Sequence, residues 1–181
     1  MVMRKLTVLF MISAALFLFS CQKGSQNGPS GAQEGGPGLA LSPDVQINTL
    51  KDVVRQDPKN LKAWIELGDI SMDAGRYQDA VTAFGAALKL DPRDVDVRVD
   101  MGTCFRSLGD PQKAIEEYKE ALKINPKHAN AKRNMGVVYA YDLHQNKEAE
   151  KMFQEYLKEN PSAPDAADIR QEIAKLKENY R

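Results

Sequence analysis

Few side chains in this 181-residue chain could take part in covalent or metal chemistry. There are two cysteines, Cys21 and Cys104, and two histidines, His128 and His144. A thiol can be acylated, oxidised or metal-bound, and an imidazole can bind a metal or move a proton. Neither histidine has a second ligand at metal spacing, and no C-x-x-C-H run offers a haem attachment, so no metal or cofactor is expected. The glycines punctuate turns or crowd one polar tract, and none makes a phosphate-cradling loop. Asp69 and Asp96 could in principle act as a carboxylate pair on a glycan. With Lys62, Arg106 and Arg133 expected nearby, their pKa values would be lowered, which suits neither to the role of general acid. The expectation is therefore a chain without catalytic residues, small-molecule substrate or cofactor.

Charge excludes another class. Lysine plus arginine and aspartate plus glutamate number 25 each, so nothing points to nucleic acid. The amino terminus reads as an export signal: Arg4 and Lys5, an apolar run from Leu6 to Phe19, then the small residue Ser20. The run is shorter than the roughly 20 residues of a comfortable membrane span. Removal of residues 1–20 would leave 23 basic side chains against 25 acidic ones, a mildly acidic mature chain.

Leu18-Phe19-Ser20-Cys21 resembles the lipobox of bacterial lipoproteins, with Phe19 bulkier than the usual middle residue. The resemblance implies lipid attachment at Cys21, cleavage before it and acylation of its new amino group. Each buried CH2 contributes about 0.8 kcal/mol, and a lasting anchor takes more than one chain. Gln22 is not the aspartate that retains lipoproteins at the inner membrane of enteric bacteria. The implied address is the bacterial cell envelope, at the outer membrane facing the periplasm. Residues 22–40 hold six glycines and two prolines and almost nothing apolar. They read as a flexible tether, with a span of roughly 25 Å.

From residue 41 onward the chain repeats. Pro58, Pro92, Pro126 and Pro161 are spaced 34, 34 and 35 apart, and Gly68, Gly102 and Gly136 keep the 34-residue step. Ala80 and Ala114 keep it too, while Ala149 comes one residue late, so an insertion lies between Gly136 and Ala149. Within one unit, Trp64, Leu67, Gly68 and Ser71 share a helical face, Gly75 stops the helix, and Ala80, Phe84, Ala87 and Leu88 mark a second helix before Pro92.

This pattern resembles the tetratricopeptide repeat and covers residues 61–163 as three full units. The fold class expected is all-α, an α-α superhelix with units at 61–94, 95–128 and 129–163. An N-terminal half-repeat helix at 41–60 precedes them, and a polar-backed capping helix at 164–181 closes the array. Arg98 and Lys132 replace Trp64 in the later units and are expected to weaken packing locally. The turn 141–147, which lacks glycine, is expected to be a longer, looser loop. Cys104 is expected in the core.

In each leading helix a second stripe runs at i, i+3, i+7 and i+10. The members are Lys62, Ile65, Asp69 and Met72; Asp96, Val99, Thr103 and Arg106; and Asn130, Arg133, Val137 and Ala140. In tetratricopeptide proteins these stripes line a concave groove that receives a peptide, so the resemblance implies a protein partner bound there. Ile65, Met72, Val99 and Val137 would form an apolar floor, and the charged members a mixed polar set. The implied function is an envelope scaffold or assembly adaptor held to a membrane by its lipid. An alternative is a permanent structural subunit that docks through its convex face or through the inserted loop with Tyr141 and Leu143.

Overall fold

The structure is a computed structural model that describes residues 41–178. The export signal, Cys21 and the tether lie outside the described residues, as does Tyr180 of the expected capping helix. Among the described residues there are eight α-helices and no strand: α1 (Pro43–Gln56), α2 (Leu61–Asp73), α3 (Tyr77–Leu90), α4 (Val95–Ser107), α5 (Pro111–Ile124), α6 (Ala129–Val137), α7 (Asn146–Glu159) and α8 (Ala166–Glu178). Helices α2, α4 and α6 lead the three units, and α3, α5 and α7 trail them. Each helix packs chiefly against its sequence neighbours, as a solenoid requires.

Local chemistry sets the helix ends. Asn60, Asp94 and Asp110 each accept a hydrogen bond from the backbone N–H three residues on, and Pro111 occupies the first turn of α5. His128 does the same for α6: its Nδ1 accepts from the N–H of Ala131, and its Nε2, left to carry the proton, donates to Asp96. A histidine in a turn between repeats is expected to be solvated; His128 is instead largely covered and engaged at both ring nitrogens. Gly75 and Gly109 close α2 and α4 at φ values of 72° and 78°.

The third unit ends differently. The residue inserted after Gly136 does not loosen a loop. It is absorbed in a π-helical turn, Val138–Asp142, which continues α6. His144 then takes the left-handed conformation, φ 53°, at the place where the first two units have glycine.

Packing inside a unit turns on a glycine and a ring. A Cβ added at Gly68, Gly102 or Gly136 would lie 2.3, 2.6 or 2.6 Å from the ring of Phe84, Tyr118 or Phe153. The leading helix therefore approaches the ring more closely than any side chain would allow, and all three rings are almost wholly buried. Cys104, also fully buried, joins Phe84, Val97 and Met101 in the core between the first two units.

The positions of Trp64 show that a change of residue type need not cost packing. The Trp64 indole N–H donates to the carbonyl of Pro58, and one unit later Arg98 donates to that of Pro92 while pairing with Glu117 at 2.9 Å. Buried Lys132 reaches Glu159 at 2.8 Å. At both positions an ion pair takes the place of the indole; Arg98 also satisfies the Pro92 carbonyl, while its Nε is buried without a hydrogen-bond partner among the described residues.

Candidate functional site

The stripe residues lie on α2, α4 and α6, and the repeat geometry brings part of the set together. Thr103 sits at the centre. Its hydroxyl is 3.2 Å from the Tyr118 hydroxyl, and the Asn134 amide donates to it at 3.4 Å. These three residues, with Arg106, Arg133 and Val137, line a small recess of about 90 Å³. The trailing helix α5 thus reaches this recess through Tyr118.

The charged members do not meet as expected. Arg106 and Arg133 do not face Asp69 and Asp96. Each reaches forward along the array: Arg106 pairs with Asp142 at the end of the π turn, and Arg133 with Asp165, which also accepts from the Tyr156 hydroxyl. Asp96 is held by His128. Each of these links joins residues about one repeat length apart, so both guanidinium groups brace the seams between units.

Left behind is an acidic half. Asp69 is half-buried, and its carboxyl is pushed up by burial and then by Asp73, Glu66 and Asp94. The pKa reduction expected from nearby cations is therefore reversed. Asp100 is affected more strongly: burial, followed by Asp69, Asp96 and Asp94, pushes it up to about 6, against a smaller opposing effect from His128. Among the described residues no ion pair reaches Asp69 or Asp100. Negative charge accordingly collects where α2 meets α4, while the cations of α4 and α6 are neutralised.

The apolar members divide as well. Val99 and Ala140 are buried in the core that joins the second and third units, whereas Val137 packs only partly against that core. Ile65 and Met72 are half-buried beside the core of the first two units. Lys62 and Asn130 are exposed. The accessible floor is thus Ile65, Met72 and Val137.

Asp100 and Asn134 were not among the residues chosen from the sequence. With Glu66 they form a polar row at 34-residue steps, four residues after Lys62, Asp96 and Asn130. Four residues is close to one helical turn, so that row borders the same face. The row was the signal that a stripe taken at i+3 and i+7 leaves out. The Cys104 thiol, pushed up to about 12 by burial and by Asp100, lies behind this acidic patch as inert core. Among the described residues no group of three or more acidic, histidine or cysteine side chains could hold a metal ion.

No curated protein matches this sequence. Solved structures share its fold. The crystal structure of MamA superposes with a TM-score of 0.70 at 23% identity, covering 76% of this chain and 78% of that one. The Yersinia enterocolitica type III secretion chaperone SycD, in complex with a peptide of the translocator YopD, gives 0.63 at 18%, covering 67% and 95%. The first tetratricopeptide domain of Spaghetti (RPAP3), bound to the HSP90 peptide SRMEEVD, gives 0.61 at 19%, covering 68% and 94%. One tetratricopeptide repeat model matches residues 47–84 and 66–129, and a second matches 105–173. With those matches running through all three units and both flanking helices, the chain belongs to the tetratricopeptide repeat family.

Proposed function

We propose that this chain is a bacterial lipoprotein, anchored through Cys21 at the outer membrane and facing the periplasm, that holds a client protein segment on the α2-α4-α6 face and performs no catalysis. The observation that carries the reading is the unneutralised acid at Asp69 and Asp100 beside a braced polar centre at Thr103, Tyr118 and Asn134. A fold does not keep partly buried, mutually repelling carboxylates for stability; a ligand that neutralises them gives a reason for them. Lysine or arginine near the accessible floor of Ile65 and Met72 would do so. Peptides bound to SycD and to the RPAP3 domain are consistent with a protein ligand on this scaffold, and Leu18-Phe19-Ser20-Cys21 supports the anchor.

Site-specific photocrosslinking in intact cells tests the binding face. A benzophenone amino acid at Met72 is expected to form a client adduct that Asp69→Lys reduces at least about tenfold, the scale of losing a favourable charge contact in a groove. Asp69→Lys also relieves repulsion from Glu66, Asp73 and Asp94, so the loss would not come from unfolding. A rival reading has the chain dock through Tyr141, which is 54% exposed within the π turn. An adduct formed at Tyr141, with none at Met72, would discard the groove in favour of that docking. For the anchor, Cys21→Ser is expected to abolish incorporation of a fatty-acid probe and leave unprocessed precursor; unchanged labelling and size would remove it.

A further inference from the structure

Among the described residues, helix α1 is a trailing helix without a leading partner, and positions one repeat apart show what it lacks. Leu50 corresponds to Phe84 and Tyr118 at 34-residue steps and to Phe153 one residue later. Those three rings are buried under the glycines of α2, α4 and α6, whereas Leu50 is only half-buried. Ile70 corresponds to Cys104 and Val138, both fully buried, and Ile70 too is half-buried. Leu41 is 60% exposed and Val45 47%. Between α1 and α2 lies a recess of about 420 Å³ lined by Leu41, Gln46, Thr49, Leu50, Glu66 and Ile70. In every later unit the matching surface is covered by a leading helix.

The missing helix does not come readily from this chain. In sequence, residues 27–40 immediately precede α1 and carry five glycines and two prolines, the poorest helix formers. The terminal helix of a second copy is also a poor candidate. In α8, Ile169, Ile173 and Leu176 are already buried against its own array, and the exposed side carries Asp168, Arg170, Gln171 and Lys175. Charge narrows the choice further. Glu66 lines the recess, and among the described residues no ion pair reaches it.

We propose that the recess between α1 and α2 is a second docking site, which binds an amphipathic helix of a partner protein in place of the leading helix that the half-repeat lacks. The helix is about as long as α2 and α4, which have 13 residues each. It carries an apolar stripe toward Leu50 and Ile70 and a basic residue toward Glu66. Helix-in-groove recognition of this kind draws affinity from the stripe and orientation from the flanking charge. The site adjoins the α2-α4-α6 face but does not depend on its ligand.

The probe is a labelled synthetic peptide with the sequence of residues 129–142, ANAKRNMGVVYAYD, a leading-helix sequence with two adjacent cations. Fluorescence anisotropy with the full chain is expected to show saturable binding. Leu41→Ser with Thr49→Lys should weaken it about tenfold, since an aliphatic wall of the recess is lost and a cation is set against the basic helix. Both residues are exposed, so the variant is expected to unfold at the same urea concentration as the parent. A peptide in which glutamate replaces the two cations should bind more weakly still. Equal affinity for parent and variant overturns the proposal, as does tighter binding of the acidic peptide. A full chain that sediments as a dimer, and that the double variant converts to a monomer, assigns the recess to a second copy and equally overturns it.

Discussion

Gly102→Ala is expected to lower folding stability by about 3 kcal/mol, a cost of overpacking a rigid core. The new methyl would stand 2.6 Å from Cε1 of Tyr118, 3.0 Å from Cδ1 and 3.1 Å from Cζ. The ring is fully buried and its hydroxyl is tied to Thr103, so relief requires α4 and α5 to separate. Gly85→Ala supplies the internal comparison. Gly85 lies inside α3, where an added Cβ meets nothing within 4 Å, so alanine there should stabilise by about 0.5–1 kcal/mol through helix propensity. Urea unfolding of the two variants checks both signs. A Gly102→Ala protein as stable as its parent would mean that the close approach of leading helix and ring is not what closes each unit.

Asp100→Asn is expected to act in the opposite direction and to depend on pH. The folded-state pKa of Asp100, about 6, lies above its ordinary value of 3.8, so the folded chain holds this proton more tightly than the unfolded chain does. Asp100 therefore costs nothing well below pH 4; the cost grows as pH rises to about 6 and is constant above that. After allowance for solvent screening of a partly exposed group, the full cost is about 1–2 kcal/mol. Asparagine keeps the shape and removes the charge. The variant should gain that amount at pH 7, and the gain should shrink toward zero as the pH falls to about 4. An equal gain at both pH values would rule out the electrostatic account. On the proposed function the same substitution weakens client capture, a trade of binding for stability.

The repeat frame was legible in the residues themselves. A solenoid helix buries its apolar stripe against near neighbours in sequence, so the 34-residue steps of proline, glycine and alanine carry most of what is needed to place α2 through α7. The same frame marks Asp110-Pro111 as a helix start and Gly75 and Gly109 as stops. Where a side chain serves two purposes at once, the pattern misleads. Arg98 looks like a damaged tryptophan position until its contacts with the Pro92 carbonyl and Glu117 are seen. The insertion after Gly136 looks like a loop, because it falls before a turn that lacks glycine, but here the hydrogen-bonded register widened instead.

By itself the sequence determined the helix pairs, the repeating glycines and rings and the candidate lipid-bearing cysteine, because each depends on residue type and spacing within one or two helices; that each glycine lies against a ring came from the structure. Only the tertiary structure decided how the binding face is charged. The offset between successive units carries Arg106 to Asp142 and Arg133 to Asp165 and leaves Asp69 and Asp100 without an ion-pair partner among the described residues. It also buries Val99 and Ala140 in a seam between units and leaves Leu50 and Ile70 half-covered at an end where no helix among the described residues covers them. Periodicity along a chain records which faces repeat; the rise and rotation from one unit to the next decide which charges meet, and those distances are set by packing across some thirty residues.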